Sequence, residues 1–303
     1  MTPTVTLSLQ EQLDALQHRA GLRALEDHGV LAVKGADRSA WLNGVVTQDV
    51  RALEPGQGAY AVAVGVKGKV LSDLWVHPAP DALLLVVPLA QRDALQAHFE
   101  RYIVMEDVTL EALTDVTVLS VQGPDARRLT EGLGASCADR LGRGGVDLLV
   151  PAGDLDRVYV ALQHNVPVVS IDAWEVARLE AAVPAFGVDF DGGNFVQEAG
   201  LTARAVSFHK GCYLGQEMVC RLEMRGQVQK HLVSLVLEGP APERGAPVLS
   251  EDKPVGAVTS AARSLALPGS AVALAMVRRT TVDAGEALAV GAAPARVVPR
   301  PVP

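Results

Sequence analysis

Residues 207–226 read SFHKGCYLGQEMVCRLEMRG. This is the densest run of polar and reactive side chains in a chain otherwise rich in Ala, Val and Leu. Lys210, Cys212, Tyr213, Gln216, Glu217, Arg221 and Arg225 fall close together, with Gly211 and Gly215 among them. Glycines between reactive groups point to a sharp turn or a close backbone approach. Two readings fit. One is a turn followed by a surface helix with ordinary charges, in which Glu217 pairs with Arg221 four residues on. The other is a built site. A cysteine beside Lys210 at a helix N-terminus would gain thiolate character. Tyr213 would cover an aromatic ligand or pack in the core. Arg221 and Arg225 would share a helix face and meet an anionic tail.

The rest of the chain sets the frame for this stretch. Its 303 residues are 49% hydrophobic and 20% charged, the balance of a folded chain of two or more domains. The net charge of −8 argues against a general nucleic-acid binder. Residues 204–231 nevertheless carry five cations against two anions, an island suited to a small anionic ligand or to a solvated helix face. No apolar run has membrane-spanning length, and residues 1–17 lack a basic region followed by an apolar core. The expectation is a cytoplasmic protein with neither membrane nor nucleic-acid partners. Three cysteines, Cys137, Cys212 and Cys220, make neither a disulfide framework nor a metal motif. Only Cys212 has reactive neighbours.

In chain order, residues 9–27 predict an amphipathic helix and 37–44 a second one. Strands are expected at 30–33, 59–66, 70–76 and 83–87, with a hairpin around Lys67-Gly68-Lys69. A helix over 91–102 and a strand over 108–113 follow, giving an α+β unit with an antiparallel sheet. A second unit is expected from a strand at 117–122, a helix from 123 to 132, and strands at 147–150 and 158–162. Asp172 with Glu175 forms an apparent capping box for a helix ending at Val183. Beyond Lys230, short β runs divided by Pro and Gly predict a small antiparallel barrel.

Two acids stand out. The strand period places Asp73 on one face with Leu71 and Trp75. Helical spacing places Glu180 in a stripe with Val176, Leu179 and Val183. A carboxylate on such a face needs a partner, an arginine or a ligand.

Residues 210–217 resemble the K-G-C-Y-x-G-Q-E signature of the YgfZ family, folate-binding relatives of the glycine-cleavage T-protein, an aminomethyltransferase. Arg221 and Arg225-Gly226 fit its continuation. The segments G-A-D-R-S-A-W-L, T-Q-D-V and K-G-K-V-L-S-D-L resemble the N-terminal region of the same family, and Arg178-Leu179-Glu180-Ala181 resembles a T-protein segment. The resemblance implies a T-protein-like α+β fold: two antiparallel-sheet subdomains (residues 1–115 and 116–229) around a central folate cavity, then a barrel (230–303). It implies tetrahydrofolate as ligand, with Glu180 holding the pterin and Asp73 near the reactive folate nitrogens. Lys210, Tyr213, Gln216, Glu217, Arg221 and Arg225 would serve the ligand, the basic residues meeting its glutamate tail. It also implies support of iron–sulfur cluster assembly or repair, with iron–sulfur client enzymes or assembly factors as partners and Cys212 as the functional thiol. The alternative is a one-carbon transferase, an aminomethyltransferase using Asp73.

Overall fold

The computed structural model describes residues 5–226 and 228–299. Alternating apolar runs build the first sheet, whose five antiparallel strands lie in the order Ala59–Val64, Val70–Pro78, Ala82–Pro88, His28–Lys34, Thr109–Leu113. Both faces of its central strands are covered. Leu31 and Val33 enter a core with Trp41, Leu42 and Phe99 from the helices Arg38–Val45 and Arg92–Glu100. Val30, one residue out of phase, enters a different core with Trp75, Val118 and Trp174.

The second sheet has the order Gly21–Ala24, Val116–Gln122, Gly145–Pro151, Ser136–Cys137. Its strand Val116–Gln122 sends Val118 toward the first sheet and Leu119 and Val121 the other way. The latter pack with Val158 and Leu162 of the helix Leu155–Gln163. The last quarter closes into a six-stranded antiparallel barrel that begins at Lys230.

Among the described residues no helix is long and apolar enough to cross a membrane.

Several expectations need correction. The first helix spans only Leu9–His18, and the chain then enters the strand Gly21–Ala24. A side chain at Gly21 would sit 2.6 Å from Val169 and 2.8 Å from Leu16, so glycine is the residue that lets this strand dock tightly. Residues 158–162, expected as a strand, lie in the helix Leu155–Gln163, because Val158 and Leu162 are four apart and share its buried face. The helix expected to run from 123 to 132 is reduced to Ala126–Leu129.

The helix Ile171–Glu180 begins two residues earlier than its sequence suggested. Its cap is Ser170, whose Oγ accepts the Ala173 N–H at 3.2 Å, while Asp172 is exposed in the first turn. The helix ends at Glu180, so Val183 does not continue its buried stripe. Its buried face packs on the helix Leu9–His18 and on the barrel strand Lys253–Arg263. Ser170→Ala is expected to cost about 1 kcal/mol in urea unfolding, and Asp172→Ala clearly less; equal losses would return the cap to Asp172.

Candidate functional site

A cavity of about 270 Å³ opens between the inner faces of the two sheets and the helix Ile171–Glu180. Strand pairing makes its floor. Tyr60 and Trp75 face each other across the first hairpin, with ring centroids 5.3 Å apart. The Tyr60 hydroxyl donates to the Asp73 carboxylate at 2.8 Å. Three guanidiniums sit over three rings: Arg204 is 5.3 Å from Tyr60, Arg140 is 5.6 Å from Trp75, and Arg23 is 5.1 Å from Trp174. All six residues line the cavity, as do Asp73, Glu175 and Arg178. Flat apolar faces edged by fixed charges suit a planar ligand with polar edges.

Burial pushes the Asp73 carboxyl above its ordinary value of 3.8. Burial, and then the Asp73 charge, push the Tyr60 phenol well up. Asp73 is thus a carboxyl that holds a proton more readily than a surface acid, beside a tyrosine that stays neutral. Arg140 is kept off Asp73 by a different acid. The fully buried Asp147 accepts from its Nε at 3.0 Å and its Nη2 at 2.7 Å. Burial alone would raise Asp147, but Arg140 and His77 hold it well below the usual carboxylate range.

The helix Ile171–Glu180 supplies the other carboxylate. Glu175 accepts from Arg178 at 2.9 Å (Nε) and 2.6 Å (Nη2) and faces the cavity. Arg178 Nη1 also donates to the buried Asp189 at 2.8 Å. Glu180 is elsewhere. Its Oε1 accepts from Ser264 Oγ at 2.7 Å and from the backbone N–H groups of Leu265 and Ala266. It is not among the cavity-lining residues. Glu180, expected to hold the pterin, ties the helix to the barrel through Oε1, and Glu175, five residues earlier, is the carboxylate that lines the cavity.

The 207–226 stretch packs beside the cavity floor, where Val62 and Val64 share a sheet face with Tyr60. Lys210 is buried, and its Nζ donates to the carbonyls of Asn43 (2.6 Å), Val46 (2.7 Å) and Gln48 (2.7 Å), around the C-terminus of the helix Arg38–Val45. Burial pushes its ammonium down to about 8. Lys210 is thus committed to backbone rather than to the Cys212 thiol or a ligand tail. Tyr213 is buried in a core with Val62, Val64, Phe190 and Val219, and burial raises its phenol. Gln216 Oε1 accepts the Tyr213 N–H at 3.3 Å and stabilises the turn into the helix Gln216–Arg225.

Glu217 and Arg221 form an ion pair at 2.6 Å, with side chains 86% and 49% exposed; in water such a pair contributes little. Cys212 is exposed. The side chain of Arg225 lies outside the described residues. Lys210, Cys212, Tyr213, Gln216, Glu217 and Arg221 are not among the cavity-lining residues; of the basic island, Arg204 is. Among the described residues no three His, Cys, Asp or Glu side chains gather as metal ligands.

Sequence reasoning reached Asp73 and missed Tyr60, Glu175, Arg178 and the arginines Arg23 and Arg140. The hairpin register was a usable signal for Tyr60, since pairing Ala59 with Val76 puts Tyr60 opposite Trp75. Arg140 had no such signal, because residues 138–144 carry no strand or helix periodicity.

Two outcomes follow. Because burial raises Asp73 above its unfolded value, the native state holds the extra proton. Its contribution is therefore favourable at low pH and is lost as pH rises from 3.8 through the folded value. Asp73→Asn is expected to melt about 2 °C or more above the parent at pH 7, with the gap closing toward pH 3.5 in calorimetry. Lys210→Met, which leaves three carbonyls unmet, is expected to lose about 2–3 kcal/mol, while Cys212→Ser unfolds with the parent.

Comparison with known proteins agrees with this architecture. The family described as the GCVT N-terminal domain matches residues 3–140, and the glycine cleavage T-protein C-terminal barrel domain matches residues 230–302. The chain is 30% identical to an aminomethyltransferase of Rubrobacter xylanophilus, over 99% of this chain and 87% of that protein. It is 29% identical to the tRNA-modifying protein YgfZ of Klebsiella pneumoniae, over 71% of each. The glycine cleavage system aminomethyltransferase T structure from Bartonella henselae superposes with a TM-score of 0.85, over 98% of this chain and 90% of that one, at 20% identity. The two sheets and terminal barrel are thus the T-protein fold, and the chain belongs to the glycine-cleavage T-protein family.

Proposed function

We propose that this chain binds a reduced folate in the cavity and, like the YgfZ proteins, supports iron–sulfur cluster assembly or repair, with Cys212 as its functional thiol. The observation that carries the folate reading is the half-buried Asp73 carboxyl, held by Tyr60 on a floor of Tyr60 and Trp75. The residues present fit the group. Trp75 and Trp174 offer flat faces to a bicyclic ring, and Asp73 and Glu175 are acceptors for its N–H edge. Arg204, which donates to the Asp139 carbonyl, supplies positive charge for a carboxylate in place of Lys210 and Arg221, while Arg23 and Arg140 are already paired with Asp27 and Asp147. A volume of about 270 Å³ is near the lower end of the ~300–1,000 Å³ typical of ligand sites, so the ring enters and the tail stays outside.

Bound tetrahydrofolate would supply nitrogen atoms that carry a one-carbon unit. Toward it, Asp73 would take or give a proton, Tyr60 would fix the carboxyl, and the aromatic walls would exclude water. Cys212 sits on the surface, accessible to a protein partner. The reading of its role rests on the resemblance of residues 210–217 to the YgfZ signature. The same Asp73–Tyr60 pair favours a second reading, in which the methylene carbon of an aminomethyl group on a carrier protein passes to the folate nitrogens, the amine leaves as ammonia and the carrier is released protonated.

Calorimetric titration with tetrahydrofolate is expected to show binding that weakens about tenfold or more in Trp75→Ala and is nearly unaffected by Glu180→Gln. Absence of binding by the parent chain would remove the folate reading. In cells lacking the chain, Cys212→Ser is expected to leave iron–sulfur enzyme activity unrestored. Full restoration by that variant, together with aminomethyl transfer abolished by Asp73→Asn, would establish the second reading instead.

A further inference from the structure

The loop after the helix Ile171–Glu180 forms one wall of the cavity, with Val183, Pro184, Ala185, Phe186 and Val188 all lining it. It has little regular structure, so its shape must be fixed by side chains. Asp189 does this from below. Its Oδ2 accepts the Ala185 N–H at 2.9 Å and Arg178 Nη1 at 2.8 Å. Arg178 Nη1 also reaches the Val183 carbonyl at 3.2 Å, and its other nitrogens hold Glu175. The remaining oxygen, Oδ1, is gripped from the barrel: both Thr259 Oγ1, at 2.6 Å, and Ser260 Oγ donate to it.

Two successive strand residues normally point to opposite faces. Here the ladder between Lys253–Arg263 and Ser270–Arg278 slips between Val258 and Ser260. The extra residue of that bulge is Thr259, and the local kink brings both hydroxyls onto one carboxylate oxygen. Arg244, also from the barrel part of the chain, donates to the Gly187 and Val188 carbonyls at 3.3 and 3.1 Å.

We propose that Thr259 and Ser260 are positioning residues for the cavity, acting through Asp189 and Arg178 to set the 183–188 wall and the Glu175 carboxylate. The inference rests on the cavity being a ligand site. The chain of contacts is nearly dry: Arg178, Asp189 and Ser260 are all buried. A buried acid holds its orientation only while its hydrogen-bond donors remain, and an unmet one turns toward whatever donor is left. Without the two hydroxyls, Asp189 keeps only Arg178 and Ala185 and is free to pull both out of place. The barrel would then be part of the binding site without touching the ligand.

The structure contains its own control. Glu180 is a second tie between the same helix and the same barrel, through Ser264, Leu265 and Ala266, and it does not reach the cavity. Ser264→Ala loosens the barrel without altering Asp189. The test compares Thr259→Val/Ser260→Ala, the single Thr259→Val, Thr259→Ser and Ser264→Ala in the full chain. Tetrahydrofolate affinity and melting temperature are measured for each.

The double variant is expected to bind about tenfold more weakly and Thr259→Val about threefold. Thr259→Ser should stay at the parent value, and Ser264→Ala should lose melting temperature with affinity within twofold. Parent affinity in both Val variants, or equal weakening in Ser264→Ala, overturns the proposal. The single Val variant serves if the double does not fold. Should the parent not bind tetrahydrofolate, the Arg178 Nε–H exchange rate, followed by NMR without ligand, still decides. It should rise in the Val variants and not in Ser264→Ala; an unchanged rate overturns the coupling.

Discussion

One guanidinium holds the middle of this molecule together. Arg178 is 3% exposed, and its donors are divided between Glu175 on its own helix, Asp189 on the following loop and the Val183 carbonyl. A planar fork of five N–H donors can satisfy that many acceptors at once, which a lysine could not. Removing a buried charge from the water costs several kcal/mol, and two carboxylates return it. The two acids are not equivalent: Glu175 is 40% exposed, whereas Asp189 is fully buried, so losing Asp189 removes the dry carboxylate partner of this guanidinium. The helix, the cavity wall and the barrel thus have a common anchor.

The reactive-looking stretch at 207–226 shows a different economy. A sequence signature can be specific because it fixes backbone, and much of this one does. Lys210 closes off the carbonyls around the end of the helix Arg38–Val45, Tyr213 fills the core beneath the first sheet, and the Leu214 N–H donates to the Gly44 carbonyl at 2.9 Å. Gly68 lets the hairpin turn touch the next helix, since a side chain there would lie 2.8 Å from Met218. Cys212 faces solvent beside these engaged neighbours, as do Glu217 and Arg221 further along the helix. A rigid frame presenting one thiol is a different device from a cluster of groups converging on a ligand.

Much of the fold was legible in the chain. Strand runs with clean alternation, such as 59–64 and 70–78, were found within a residue or two, as were the barrel and the helices 38–45 and 92–100. Errors came where two periods coincide. Val158 and Leu162 suit a strand by their side chains and a helix by their spacing, and packing under the second sheet chose the helix. The site was half legible. Asp73 was visible because a carboxylate in an apolar strand is conspicuous. Glu180 was conspicuous for the same reason, but its partners were a serine and two backbone amides 84 to 86 residues away. Nothing local distinguishes such a tie from a ligand contact. Glu175 escaped notice because it stood in an apparent capping box, and the actual cap is Ser170.

The grip of the barrel on Asp189 spans 70 and 71 residues of chain. At a synthesis rate of roughly 5–20 residues per second, several seconds separate the emergence of the cavity wall from that of the hydroxyls that steady it. A nascent chain halted before the barrel has both sheets and the aromatic floor, yet its wall is unsupported. A wall steadied from both sides is therefore a property of the finished polypeptide.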